Sequence, residues 1–257
     1  MAYTMRWMLK TTPALVGALL ALAVVGALAA PAAAAFLSTG QEIRIGREAA
    51  AQLEAEVGVV RDPVRTAQIA AIGARLAAAS GRPELPWTFK ILNTNQINAI
   101  SLPGGFIYVT RGMLGFVRSE DELAFVLGHE VGHVDRRHHV AIIERDFFFG
   151  LVLSLLFGGD PTSGQIAALL HTLLRRGFSR EAEFEADETG VLLTHRAGFN
   201  AGAGLVFMER LRAAEGRDPS QLEVLLSTHP ALADRLARVR EQLRRLGYRV
   251  GILRAAA

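Results

Sequence analysis

The segment that most restricts the fold of this chain is Leu123-Ala-Phe-Val-Leu-Gly-His-Glu-Val-Gly-His-Val134, where His129, Glu130 and His133 sit inside an otherwise apolar helical run. Ser119 with Glu122 offers a capping box just upstream, so the run reads as one helix that begins at residue 120. In a helix, positions i and i+4 share a face, which brings the two imidazoles within reach of one metal ion. Glu130 lies about 100° round from His129, off the ion but near enough to take a proton from a water beside it. Apolar flanks require such a helix to be buried, and buried imidazoles and carboxylates need partners. The rest of the chain must therefore supply polar groups that face this helix. The alternative, two surface histidines and a solvated Glu, conflicts with the apolar flanks. Only about 0.01 matches to H-E-x-x-H are expected by chance in a chain with 7 His and 17 Glu.

The remaining composition narrows the class. The chain has 257 residues, of which 51% are hydrophobic and 21% charged, and it has no cysteine. These values exclude intrinsic disorder and a disulfide scaffold. The net charge is only +3, and no basic block occurs, so nucleic acid is not an expected partner. Residues 1–35 differ from the rest. Arg6 and Lys10 precede an apolar run from Pro13 to Ala30, and Pro31-Ala-Ala-Ala-Ala35 supplies an A-x-A cleavage pattern. We read 1–35 as a signal peptide and 36–257 as a single domain, exported and expected in a periplasm. An uncleaved signal anchor is the alternative.

Beyond Ser38 the pattern is mainly helical. Ser38 with Gln41, or Thr39 with Glu42, can cap a first helix, and Asp62-Pro63 opens a second. Three short β-rich segments follow: 87–92, 97–100 and 106–110. Helices then return, with starts at Ser119, at Ser179 or Arg180, and at Asn200, Pro219 and Pro230. The expected fold is α+β, predominantly helical, with a small antiparallel sheet beside the His129 to His133 helix. Phe147 to Phe157 is apolar but too short to span a bilayer; it is a candidate flap, a patch for peripheral membrane contact, or a core helix.

A catalytic zinc needs a third protein ligand and one open position. The best source is Ser179-Arg-Glu-Ala-Glu-Phe-Glu-Ala-Asp187. Geometry leaves Glu183 and Glu185 both open as the ligand, although Glu183 shares a face with Asp187, which could support a ligand histidine from behind. Glu181, Glu185 and Glu188 otherwise read as a solvated face.

Taken together, His129-Glu-Val-Gly-His133 and Glu183-Phe-Glu-Ala-Asp187 resemble metallopeptidase family forty-eight, the gluzincins that include HtpX-like and CAAX-prenyl-protease-like enzymes and a soluble periplasmic BepA- and LoiP-like branch. Asn98-Ala-Ile-Ser-Leu-Pro-Gly-Gly-Phe-Ile-Tyr-Val-Thr110 and Ser227-Thr-His-Pro230 with Arg235 extend the likeness from about Gly40 to Leu246. The resemblance implies one zinc per chain, held by His129, His133 and Glu183, with Glu130 as the base and Asp187 as support. It also implies that Asn98-Ala99 lies on an edge strand that binds an extended peptide. His229 is implied near the zinc, where it could stabilise an oxyanion or block the open site, and Arg235 is implied as an electrostatic support. His138, His139, His171 and His195 match nothing in the motif and read as surface or structural. The expected function is a zinc metalloendopeptidase acting on unfolded or misassembled cell-envelope proteins. The competing expectation is an envelope chaperone or assembly factor with a latent or structural zinc site.

Overall fold

A computed structural model describes residues 37–146, 162–215 and 219–249. Residues 1–35 and the apolar stretch Phe147 to Phe157 lie outside the described residues. Helix α1 (Thr39–Val57) starts from Ser38, which forms a full capping box with Gln41. The alternative cap, Thr39 with Glu42, is not used because Glu42 turns inward. It is 1% exposed, receives two N–H bonds from Arg82 at 2.9 Å each, and accepts the Gly104 amide at 3.2 Å. Helix α2 (Pro63–Ala78) follows the Asp62 cap and the first-turn proline as the sequence indicates.

Strands β1 (Thr88–Leu92), β2 (Ala99–Leu102) and β3 (Phe106–Thr110) form one sheet in the order β1-β3-β2. The sheet is mixed, which corrects the expectation of an antiparallel one. β2 and β3 are antiparallel, joined through Gly104 and Gly105 at φ values of +77° and +99°. β3 then returns between β2 and β1, so β1 and β3 run the same way. A period-2 pattern identifies strands but carries no information on their order. All five β3 residues are buried, with Ile107 and Val109 in one apolar core and Phe106 and Tyr108 in another. β2 is left as an edge.

The helical part comprises α3 (Arg111–Phe116), α4 (Glu120–Asp135), α5 (His138–Asp146), α6 (Ser163–Arg175), α7 (Arg180–Arg196), α8 (Gly202–Glu215), α9 (Pro219–Thr228) and α10 (Leu232–Arg245). Ser119 caps α4 by accepting from the Glu122 amide at 3.1 Å. The reciprocal half of the expected box is missing, because the Glu122 carboxylate instead accepts from the Arg118 amide and from Arg210. The helices placed at Asn200 and Pro230 begin two residues later, at Gly202 and Leu232. At the second of these, Ala231 takes a left-handed φ of +65°, which delays the helix.

Helices α4 and α7 press together at three glycines. A Cβ built on Gly132 would lie 2.9 Å from the Ala186 carbonyl oxygen, and one on Gly190 would lie 2.9 Å from the His129 amide nitrogen. On Gly128 it would lie 3.0 Å from Thr194 Oγ1. Only hydrogen fits at these positions, and the short interaxial distance brings the polar groups of the two helices within reach of each other. This packing gives the first prediction. Gly190→Ala is destabilising, because overpacking against backbone of about 1–3 kcal/mol exceeds the roughly 1 kcal/mol of helix propensity that alanine returns. Gly115→Ala, where nothing lies within 4 Å, keeps or raises stability. Thermal unfolding of both variants checks this, and a Gly190→Ala protein as stable as wild type would remove the close-packing argument.

Candidate metal centre

Three elements deliver the polar cluster. Helix α4 carries His129, Glu130 and His133, which are 6%, 2% and 0% exposed. Helix α7, capped by Ser179, carries Glu183 and Asp187 on the face toward α4, both buried. His229 lies in the turn between α9 and α10, its amide bonded to the Leu225 carbonyl at 2.8 Å, and Arg235 follows on α10. One ligand atom from each of His129, His133, Glu183 and His229 lies within 4.8 Å of all the others.

The shortest contacts among these side chains run from 3.0 to 3.6 Å. His129 Nε2 is 3.1 Å from His133 Nε2 and 3.3 Å from His229 Nδ1. Glu183 Oε1 is 3.3 Å from His133 Nε2 and 3.0 Å from His229 Nδ1, while Glu183 Oε2 is 3.6 Å from His129 Nε2. A tetrahedral ion with ligands at about 2.0–2.1 Å would hold its donors about 3.3–3.4 Å apart. The charges agree: Glu130, Glu183 and Asp187 are buried carboxyls that face a single buried guanidinium, Arg235, which leaves room for a cation. The donor set and its spacing fit a metal ion. Glu183 is the carboxylate in the cluster; Glu185, the open alternative, is directed elsewhere.

Behind the donors lies a second layer of bonds. His129 Nδ1 is 2.9 Å from Asp187 Oδ1. Arg235 donates Nε and Nη2 to the two Asp187 oxygens at 2.7 Å each. Its Nη1 is 2.6 Å from Glu183 Oε2 and donates to the His229 carbonyl at 3.2 Å. Arg235 therefore ties α7 to the turn that carries His229. Burial works to raise the Glu183 carboxyl, but Arg235, His229 and His133 outweigh it and hold the group well below the usual carboxylate range. Asp187 is lowered in the same way, burial being offset mainly by Arg235. Burial holds His133 well below the usual histidine range, so its ring is neutral and a lone pair is free for an ion.

Several contributors have no counterpart in the expected set. Ser101, on edge strand β2, donates its hydroxyl to Glu130 Oε2 at 2.6 Å. His139 donates Nε2–H to the Ser101 carbonyl at 2.9 Å. Phe178 stacks flat on the His133 ring, with centroids 3.7 Å apart and planes inclined by 19°. His138 Nδ1 is 2.9 Å from His133 Nδ1, and its Nε2 is 3.3 Å from Glu185 Oε2. His138 and His139 are thus buried beside the site rather than on the surface, and Glu185 has a partner that the solvated-face reading did not give it. A five-residue spacing gave no signal, because on a straight helix residue 138 would point about 140° away from residue 133. Arg137, at φ +57°, breaks the helix and folds His138 back.

Asn98 and Ala99 stand at the head of β2, and both are buried. Asn98 Oδ1 has no hydrogen-bond partner among the described residues. Beside the cluster, a small cleft is lined by the apolar Met113, Phe125, Phe207, Met208 and Leu211 together with Glu130 and His229.

Comparison with known proteins agrees with this geometry. The model for "Peptidase family M48" matches residues 63–243. The chain is 31% identical over 217 residues to the beta-barrel assembly-enhancing protease of Escherichia coli (strain K12), covering 80% of this chain and 44% of that protein. It is 32% identical over 219 residues to a putative beta-barrel assembly-enhancing protease of Vibrio cholerae, covering 81% and 45%. To the mitochondrial metalloendopeptidase OMA1 of Schizosaccharomyces pombe it is 35% identical over 173 residues, covering 66% and 50%. The chain thus spans about half the length, or somewhat less, of these relatives. With a family match over most of the described residues and the two helices that carry its polar cluster inside that match, the chain belongs to peptidase family M48.

Proposed function

We propose that this chain is a zinc metalloendopeptidase that hydrolyses unfolded or misassembled cell-envelope proteins. The observation that carries this reading is the convergence of the buried donors His129, His133 and Glu183, with Glu130, a carboxylate not in that set, beside them. His129, His133 and Glu183 would hold the zinc. When bound, zinc acidifies water and polarises a peptide carbonyl. Glu130 takes the proton of the attacking water and delivers it to the leaving amine, and the Ser101 hydroxyl keeps its carboxylate turned toward the cleft. His229 Nε2, 3.6 Å from Glu130 Oε1, is placed to donate to an oxyanion. An extended substrate would add to the β2 edge, which begins beside Asn98 and Ala99. The apolar cleft would take an apolar side chain next to the scissile bond. Folded proteins bury such side chains, so the cleft favours unfolded ones.

The names of the relatives support an envelope setting, and so does the segment 1–35, which we read as an export signal. Among the described residues, no helix is long and apolar enough to cross a membrane. The mass of the protein recovered from an envelope fraction checks the leader: loss of residues 1–35 is expected, and retention of the full N-terminus would favour an anchor.

One observation favours a second reading. His229 Nδ1 stands in the donor set, 3.0 Å from Glu183 and 3.3 Å from His129, where it would close the position that a catalytic ion keeps open. In that state the site is latent, and the protein would act as a chaperone or assembly factor until His229 swings out.

Purified protein is expected to hold about one zinc per chain. His129→Ala and Glu183→Ala should each lose most of it, since three protein ligands are the minimum for a tight site. Metal analysis of the three proteins is the check, and full occupancy in Glu183→Ala would show that the third ligand lies elsewhere. Casein cleavage should stop with a chelator. It should also fall by about two to four orders of magnitude in Glu130→Gln, which retains its zinc but cannot accept the proton. Cleavage at the wild-type rate in Glu130→Gln would remove Glu130 as the base. An inactive wild type that gains activity in His229→Ala would establish the latent state. The ends of the casein fragments should show apolar residues next to the cut; an even distribution would exclude the cleft as a side-chain pocket.

A further inference from the structure

The two α4 imidazoles of the cluster are supported from behind in different ways. His129 has a carboxylate, Asp187, itself bonded by Arg235. Among the described residues, His133 has neither carboxylate nor carbonyl bonded at its far nitrogen; the atom there is Nδ1 of His138, at 2.9 Å.

The hydrogen-bond chemistry of this pair leaves one arrangement. His133 Nε2 faces the donor cluster, 3.1 Å from His129 Nε2 and 3.3 Å from Glu183 Oε1, so a lone pair must be on Nε2 for an ion to be held. The proton of the neutral His133 ring is then on Nδ1, where it needs an acceptor. Two ring nitrogens 2.9 Å apart can share one proton but cannot both carry one, so His138 Nδ1 must be bare. The His138 proton is therefore on Nε2, the atom 3.3 Å from Glu185 Oε2. The proton order runs one way, from His133 to His138 to Glu185.

We infer that His138 and Glu185 are positioning residues: His138 accepts the His133 Nδ1 proton, Glu185 accepts the His138 Nε2 proton, and together they fix the tautomer and ring angle in which His133 offers Nε2 to the metal. The inference rests on the metal centre proposed above and goes beyond it, because it assigns a role to two residues that touch neither ion nor substrate. Phe178 restrains the same ring from its face, by stacking at 3.7 Å, whereas His138 restrains it in its own plane. The turn at Arg137 is what makes this possible, since it folds α5 back so that His138 packs against the residue five positions before it. Glu185 holds its end from a half-exposed position on α7, two residues before Asp187. Helix α7 thus supplies Glu183 to the ion, Asp187 behind His129 and Glu185 behind His138.

The test is the affinity for Zn²⁺ and Co²⁺, measured by competition with a chromophoric chelator, together with the visible absorption of the Co²⁺ form. In His138→Leu, which fills the space but accepts nothing, affinity should fall about 10–100-fold, the usual effect of losing the group behind a ligand histidine, and the Co²⁺ bands should shift. His138→Asn can present an amide oxygen to the His133 proton and should recover most of the affinity. Glu185→Ala, at a half-exposed site, should fold normally and show a smaller loss, so it carries the test if His138→Leu fails to fold. Unfolding of the metal-free proteins separates site effects from fold effects. Wild-type affinity and an unshifted spectrum in Glu185→Ala and His138→Leu would overturn the inference. So would a His138→Asn protein no better than His138→Leu at equal metal-free stability. A wild type that binds no metal at all would instead overturn the metal centre on which the inference rests.

Discussion

Helix α7 places Glu183 and Asp187 where water does not reach, and the Arg235 guanidinium between them makes that burial tolerable. A buried carboxylate without a partner shifts its pKa upward and takes up a proton, and a protonated Glu183 would be a poor metal ligand. Arg235 prevents this for both groups at once. It donates in a fork to Asp187 and reaches Glu183 with its remaining nitrogen, a geometry that a planar guanidinium supplies and an ammonium does not. The same side chain also holds the His229 carbonyl. The position of His229 relative to the donors is therefore tied to the charge balance of the site, and a change at Arg235 would be felt in α7 and in the His229 turn together.

The close packing of α4 on α7 serves the same end. Side chains that meet over a metal are short, and two helices at ordinary distance would leave the imidazoles of one beyond the carboxylates of the other. Gly128, Gly132 and Gly190 remove the bulk that would keep them apart. The polar cluster and the glycine seam are parts of one design, in which the backbone gives up helix propensity so that the side chains can converge.

The edge strand joins this site to whatever enters it. β2 begins at Ala99 beside the apolar cleft, and its Ser101 hydroxyl is bonded to Glu130. His229 lines the same cleft, with Nδ1 3.3 Å from His129 Nε2 and Nε2 3.6 Å from Glu130 Oε1.

Local spacing along the chain accounts for one part of this architecture. The i, i+4 histidines with their apolar flanks required a buried helix, and the Ser38, Asp62, Ser119 and Ser179 caps marked helix starts, because capping acts between residues three apart. The shared face of Glu183 and Asp187 was legible for the same reason, although choosing Glu183 over Glu185 needed the family resemblance. How separate elements meet depends on contacts that local spacing does not encode. The mixed sheet follows from β3 inserting between β1 and β2, an ordering that no alternation of side chains encodes. His138 reaches His133 because the chain reverses at a left-handed Arg137, and nothing in the residue type of an arginine announces a positive φ. Ser101 and Phe178 acquire their partners only when β2 and the turn before α7 close on α4, and Glu185 acquires its partner only when α7 meets α5. Their roles are set by contacts between residues far apart in the chain, or on neighbouring elements whose angle the sequence pattern leaves free.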